Sequence, residues 1–347
     1  MVKSCHEPQG WGPEVSRGRS RGRLLGVAIV KHPVLLSLVE ITAVAALSAA
    51  ALPTAVSASS ADSGNERAAA RHVLIATGDI ACDPDSPYYG TRALCQQDRV
   101  GRRVRIMVNG GADWFVPLGD VQYETGAYAD FIDVYDKAFG AVRQVTRPIA
   151  GNHEYITSGA RGYFRYFKKK AGNPDRPWRA FKAAREWKVL LLDSNCEYVG
   201  GCGRQSRQGR WIRRELRSTS ADCIIAAWHH PLQTSGEYAG SADSRGRASK
   251  LWRLVNAGGA DIVLNGHDHI YERFAKRGGM QQFVVGTGGK NHYDITTRAP
   301  GSRKRIGDRY GVLKLSMRAN GTYEHAFVTP SGKVLDSGRK QCTNEPR

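Results

Sequence analysis

The 347-residue chain has no C-x-x-C pair, no internal repeat and no basic motif interleaved with aromatic residues. The first absence removes the usual support for a cysteine zinc site. The second leaves no sign of a second domain. The third argues against a dedicated nucleic-acid partner. Long apolar runs are also scarce. The one extended run, residues 34–52, is interrupted by Glu40, whose placement in mid-membrane would cost about 2.5–3.5 kcal/mol. No Arg-Arg pair occurs in the first 58 residues, which argues against twin-arginine export.

What is present suits one large domain with a sizeable core: 41% hydrophobic and 24% charged residues. The formal net charge is +19. Residues 1–58 hold six Lys/Arg and three Glu, so the remainder still carries +16. Such a balance favours polyanionic surroundings, among them anionic cell-wall polymers and phosphate-bearing substrates. Lys3, Arg17, Arg19, Arg21, Arg23 and Lys31 precede the apolar run, and Val56-Ser57-Ala58 follows Pro53. A basic start, an apolar centre and a small-residue exit predict a signal peptide over 1–58, cleaved in preference to anchoring the chain. A Ser/Ala/charge linker over 59–70 and a catalytic domain over 71–347 complete the expected organisation.

Six cysteines remain after that segment, an even count that fits disulfides in an exported protein, though six allow fifteen pairings. The five residues between Cys196 and Cys202 suit a local staple. Cys82 and Cys95 are read as closing the loop after the first strand, which leaves Cys223 and Cys342 to tie the tail to a core strand.

The organising stretch is Asn265-Gly266-His267-Asp268-His269-Ile270-Tyr271-Glu272-Arg273, which follows the β-branched run Asp261-Ile262-Val263-Leu264. Such a run reads as a buried parallel strand, and ligands of open α/β sheets bind where strands end. In extended chain His267 and His269 would point the same way, about 7 Å apart at Cα, with Asp268 opposite and structural. Four other predicted strands end in donors. His72–Ala76 leads to Asp79, Asp113–Leu118 to Asp120, Pro148–Ala150 to Asn152, and Cys223–Ala227 to His229. Tyr123 follows Asp120 by three. Seven such side chains suit two first-row ions with positions left for water and substrate. Helices are expected over 92–108, around Tyr128 to Tyr135 with Phe131 and Ile132 on the same face, over 208–218 and over 248–256. A hairpin is expected over 178–194 and antiparallel strands over 310–334, with turns at Asn320-Gly321 and Ser331-Gly332.

The set GD, GDxxY, GNHE, WHHP and GHDHxYER resembles the calcineurin-like metallophosphoesterases. Its tyrosine, and a first motif without a D-x-H histidine, are similar to the purple acid phosphatase branch, in its secreted bacterial form. The resemblance spans roughly residues 72–340. It implies an α/β fold with a central β-sandwich flanked by helices and a dinuclear metal site at strand ends. Asp79, Tyr123 and His269 would hold Fe(III), Asn152, His229 and His267 a divalent Fe, Zn or Mn, and Asp120 would bridge them. The implied activity is hydrolysis of phosphate monoesters by in-line attack of a metal-generated hydroxide. His153 would bind phosphate or protonate the leaving oxygen, unless a hydrogen bond to Glu154 or a backbone group makes it structural. Arg273 would neutralise transition-state charge, unless it pairs with Glu272. His230 would face away from the metals.

One departure stands out. Where the family usually carries a further histidine after WHHP, this chain reads Gln233-Thr234-Ser235-Gly236-Glu237-Tyr238, so Glu237 or Tyr238 would substitute, or His153 would act alone. The alternatives are a phosphodiesterase or nucleotide hydrolase, with Tyr163-Phe164-Arg165-Tyr166-Phe167 stacking a base, and a non-catalytic wall-binding protein. A merely structural role for that aromatic run, covering a core edge, is the plainer reading.

Overall fold

A computed structural model describes residues 71–342 apart from 88 and 90–93. The signal peptide and linker expected over 1–70 lie outside the described residues. Among the described residues twelve strands form two sheets. The first has the order β12-β11-β10-β1-β2, from β1 (Arg71–Thr77), β2 (Trp114–Pro117), β10 (Val312–Arg318), β11 (Thr322–Val328) and β12 (Val334–Gln341). The second has the order β3-β4-β5-β6-β8-β7-β9, from β3 (Arg179–Lys182), β4 (Trp187–Leu191), β5 (Cys223–Ala227), β6 (Ile262–Asn265), β7 (Tyr271–Phe274), β8 (Gln281–Val285) and β9 (Ser302–Ile306). β1 runs parallel to β2, with Leu74 opposite Trp114. β4, β5, β6 and β8 are also mutually parallel.

Side chains alternate along a strand, and here both alternations are buried. Leu74, Val116, Leu313 and Phe327 of the first sheet share one apolar cluster with Val189, Ile225, Leu264 and Phe283 of the second. Val73, Ile75, Leu190, Ile224 and Val263, on the other faces, join a second cluster with the helices. This double burial is why the parallel strands read as uninterrupted apolar runs. Each fully buried side chain of this size contributes about 1.5–3 kcal/mol. With dozens of them, the disulfides at about 2–4 kcal/mol each are supplementary. Those disulfides are Cys82–Cys95, Cys196–Cys202 and Cys223–Cys342, the pairing that loop length suggested.

Helix α1 (Gln97–Asn109) begins later than the expected residue 92. The Cys82–Cys95 bond and a hydrogen bond from Gln96 N to Gly289 O fix the chain just before it. Residues 128–139 are helical, but Phe131–Tyr135 is a π turn. The wider turn shifts the buried face, so Phe131, Val134, Tyr135 and Phe139 point inward while Ile132 is exposed. The strand expected at 148–150 is reduced to single bridges, Leu118 to Ile149 and Phe115 to Thr146. Short helices α2 (Asn152–Ile156) and α3 (Arg161–Phe167) come next. In α3 Tyr163, Tyr166 and Phe167 are buried in the core, which disposes of the base-stacking role. α4 (Arg207–Arg217) is capped by Ser206 Oγ, which accepts from Gly209 N at 2.9 Å, and buries Ile212 and Leu216. α5 (Ala242–Asn256) starts six residues earlier than expected. The tail hairpins turn at Gly321 (φ 78°) and Gly332 (φ 93°), as their sequence signals.

Candidate metal centre

The C-terminal ends of β1, β2, β5 and β6 meet at one rim of the sandwich. Asp79, Asp120, His229 and His267 each follow their strand within three residues, and Asn152 opens α2. Tyr123 Oη lies 3.1 Å from Asp79 Oδ1, 3.2 Å from Asp120 Oδ2 and 2.9 Å from His269 Nε2. Asp120, His229 and His267 form a second group whose ligand atoms lie within 4.8 Å of one another. Asp120 belongs to both groups. Six of the seven predicted donors meet here, and Asn152 opens α2 next to His153, whose backbone N–H donates to Asp120 Oδ1.

The backbone is shaped around them. Asp79 (φ 60°), Asp120 (φ 46°) and His267 (φ 70°) are left-handed, a conformation held only where the surroundings impose it. His267 and His269 thus do not reach the rim through extended chain, as their spacing suggested, but through a tight turn in which Ile270 N bonds Asp268 O. A side chain at Gly151 would collide with the Asp120 carboxylate, and one at Gly119 would approach His229 Nδ1 to 2.5 Å. The glycines of GD and GNHE leave room for the donors themselves. Glu154 completes the frame. Its buried carboxylate accepts from Asp120 N, Val121 N, Gln122 N and Gly151 N at 3.0, 2.8, 3.2 and 2.7 Å, tying the Asp120 loop to α2.

Two ring nitrogens are oriented by carbonyls, which can only accept. His229 Nδ1 donates to Leu118 O (2.8 Å) and His269 Nδ1 to Asn291 O (2.6 Å), so each presents Nε2 to the centre. His229 Nε2 lies 3.1 Å from Asp120 Oδ2 yet makes no hydrogen bond, and the buried Asn152 Oδ1 has no partner. Buried polar atoms without partners are costly, and His229 Nε2 lies within a cluster of hard and borderline donors. That is the expected mark of a first-row metal site.

Electrostatics divide the ligands: burial would lower His229, but the charges of Asp120 and Asp79 outweigh it and take the imidazole up to about 9, whereas the other two ligating histidines stay neutral. Burial, then the neighbouring His229, push the His267 imidazole well below its usual range. Burial takes His269 down to about 3. Both are held in the neutral, ligating form. Burial raises Asp120, but His229 and His153 outweigh it and hold the carboxyl ionised. Burial pushes Asp79 well above the carboxylate range, offset in part by His229 and reinforced by the charge on Asp120. Burial and the two carboxylates raise the Tyr123 phenol as well. Two acids and a phenol crowded together oppose their own ionisation, and a cation among them reverses that sign.

The other predicted residues divide. His153 stands over the centre: its N–H donates to Asp120 Oδ1 (2.9 Å), its ring lies 4.4 Å from that of Tyr123, and Nδ1 bonds the carbonyl of Glu124 (2.5 Å). Glu237 is exposed on the loop that Asp268 pins through Thr234 and the Glu237 N–H. Arg273 is not at the rim. Its guanidinium bonds Asp336 at 2.7 and 3.0 Å, while Glu272 bonds Ser235 and Ser302 instead of Arg273. His230 bonds Ser194 Oγ at 2.7 Å, beside the centre. Sequence reasoning missed Lys290, whose ammonium sits 4.5 Å above the Tyr123 ring and pairs with Glu124. It also missed Tyr293, stacked 3.8 Å from His269, and did not foresee that Tyr238 stacks 4.1 Å from His267. The signal that marks the Lys290-Asn291-His292-Tyr293 run is its place just beyond a strand end, since β8 leaves its sheet at the same rim through Gly286–Gly289.

A sequence profile described as calcineurin-like phosphoesterase matches residues 72–271. The chain belongs to that family. Tartrate-resistant acid phosphatase type 5 of Rattus norvegicus is 25% identical over 250 residues, 65% of this chain and 74% of that protein. A probable cyclic nucleotide phosphodiesterase of Psychrobacter arcticus is 26% identical over 143 residues, 39% and 51%. The structure of purple acid phosphatase PPD1 from yellow lupin superposes with a TM-score of 0.66 at 17% identity, over 78% of this chain and 54% of the lupin chain. The phosphoesterase is thus a metal-dependent phosphoric ester hydrolase of the purple acid phosphatase type, on a dinuclear-metal fold.

Proposed function

We propose that this phosphoesterase is an exported phosphomonoesterase, with Fe(III) held by Asp79, Tyr123 and His269, a divalent Fe, Zn or Mn ion held by Asn152, His229 and His267, and Asp120 shared. The observation that carries the reading is Tyr123 Oη, within 3.2 Å of donors on Asp79, Asp120 and His269. A phenol beside two carboxylates binds as phenolate only to a strongly acidic ion. When bound, two such ions supply positive charge to phosphoryl oxygens and acidify water.

The chain's own residues do the rest. His153 Nδ1 donates to the Glu124 carbonyl, so Nε2 is the nitrogen that gives a proton to a leaving oxygen or takes one. The Asp120 contact to His153 N fixes that ring relative to the centre. Glu154 holds the Asp120 loop, and Tyr238 and Tyr293 wall off His267 and His269. Glu237 stands at the rim in place of the missing histidine. Among the described residues all six cysteines are disulfide-bonded, which supports export. Among the described residues no helix is long and apolar enough to cross a membrane.

Hydrolysis of p-nitrophenyl phosphate against its bis-ester tests the substrate class. The monoester is expected to be the faster by tenfold or more in kcat/KM, on the order of one hydrogen-bonded proton donor's effect. A faster bis-ester would move the assignment to the diesterase reading, which the Psychrobacter relative favours. Activity on neither, with metals bound, would leave a binding protein on an enzyme fold.

A further inference from the structure

We infer that the groove between α4 and α5 is a second anion site, one that holds a linear phosphate-repeat polymer. The two helices pack side by side. A cavity of about 1460 Å³ runs between them, lined by Arg204, Arg213, Arg217, Lys250 and Arg253, with Asp222 as its one acid. The groove lies away from the metal rim along most of its length. Residues 192–206 leave β4 at the rim and carry Arg204. α4 then runs back to the start of β5, so Arg217 and Arg253 lie toward the opposite edge.

Three observations separate this groove from an ordinary basic surface. Among the described residues none of the five cations forms an ion pair with a carboxylate, and Glu215, on the same helix as Arg213 and Arg217, pairs with Lys188 instead. Arg213 Nε is buried without a hydrogen-bond partner, an arrangement that costs stability unless something accepts from it. The charges are also spread, on successive turns, as Arg213 and Arg217 on one helix and Lys250 and Arg253 on the other. A single phosphate would need a point cluster, whereas a row along a concavity tracks a chain of charges.

The lining indicates which polyanion. It contains no aromatic side chain. Single-stranded nucleic acid is held by stacking bases on such side chains as well as by backbone charge, so this groove serves the phosphates alone. Guanidinium groups supply the bidentate geometry that phosphate oxygens accept. A polymer of linked phosphates fits, and its position suits a phosphoesterase, since a chain lying along the groove past Arg204 extends toward the rim. That last step rests on the phosphomonoesterase reading; the binding does not.

The test is binding of long-chain inorganic polyphosphate to the metal-loaded full chain, followed across salt concentration. The comparison is with a triple variant of exposed residues, Arg217→Gln, Lys250→Gln and Arg253→Gln, and with Arg213→Gln alone. Counterion release predicts that each neutralised cation lowers the log–log salt slope by about one, and that the triple variant weakens binding by tenfold or more at ~0.1 M salt. kcat/KM for p-nitrophenyl phosphate is expected to stay unchanged in both variants. Unaltered polyphosphate affinity would overturn the assignment. So would competition by orthophosphate at equal phosphate concentration, or equally tight, equally variant-sensitive binding of single-stranded oligothymidylate, which would indicate an unspecific basic field. A parent chain that hydrolyses the monoester but does not bind polyphosphate defeats this site alone. Binding intact without activity defeats the phosphatase reading instead.

Discussion

Two buried polar clusters lie within a few residues of each other along the chain and have opposite character. In the first, Tyr271 Oη and the Arg273 guanidinium both bond Asp336, at 2.8 Å for the phenol and 2.7 and 3.0 Å for the guanidinium. Both donors are met by the same carboxylate, whose burial is compensated on the spot, although the neighbouring His325 keeps two buried ring nitrogens without hydrogen-bond partners. In the second, His229 Nε2 and Asn152 Oδ1 are buried without partners, three donors sit in left-handed backbone, and two carboxylates crowd a phenol. A satisfied cluster braces the fold. An unsatisfied one stores free energy that a ligand releases. If the distinction holds, substitutions in the second cluster should damage function with little cost to the metal-free fold, and substitutions in the first should do the reverse.

The largest effect is expected from Asp120→Asn. Asp120 is common to both donor groups, so its charge is lost to two ions at once. Activity should fall by on the order of 10³-fold, beyond the 10–100-fold typical of an outer partner, and elemental analysis should show metal lost from both positions. The metal-free variant should melt within about 3 °C of the metal-free parent, because relief of the like-charge neighbour Asp79 offsets the charge contacts to His229 and His153 that the substitution gives up. Two tightly held ions in the variant would show that Asp120 is not shared.

Tyr123→Phe is the sharper but smaller test. It removes the oxygen and keeps the ring under Lys290. If the phenol is a ligand to Fe(III), the iron-loaded, oxidised parent absorbs in the visible through phenolate-to-iron charge transfer and the variant does not, while activity falls by about tenfold. An unchanged band in the variant, or a colourless parent with iron confirmed at that position, would return Tyr123 to a packing role.

The same division governs how much of the molecule was legible in the sequence. Asp79, Asp120, His229 and His267 were legible because each follows a strand end, Tyr123 and His269 through their spacing from those, and the parallel strands were recognisable as β-branched runs buried on both faces. The disulfides followed from loop lengths. The features that escaped notice depended on the third dimension. Arg273 stands next to the GHDH donors in sequence, but β7 has already begun at Tyr271, and its partner Asp336 is 63 residues away on β12. Nothing local announces that pairing. Lys290 and Tyr293 lie beyond a glycine-rich strand exit that carries no donor motif, so only the sheet order brings them over Tyr123 and His269. The expected strand at 148–150 dissolved into single bridges because its chain must turn at once into α2. The exposed Ile132 reflects a π turn that no periodicity of 3.6 anticipates.

The smallest expected effect tests the braced cluster through pH. Burial by itself would raise the Asp336 carboxyl, but the hydrogen bonds from Arg273 and Tyr271 outweigh it and hold the group below its ordinary value. A carboxyl with a lower pKa folded than unfolded adds stability at pH above its unfolded value, near 3.9. That contribution is lost as the pH falls through the lower folded value. Asp336→Asn should therefore cost about 1 kcal/mol near pH 6, and the gap between parent and variant should narrow from about pH 4 downward. His325, 3.9 Å from Asp336 and pushed down to about 4 by burial, titrates in the same window, so the pair is also compared in a His325→Gln background. Monoester kcat/KM should change by no more than about twofold, far less than the 10²-fold or more that removing a group on the reacting oxygens costs. A variant that melts like the parent but loses activity would mean that Arg273 serves the phosphate after all, and that a satisfied cluster is no guide to a bracing role.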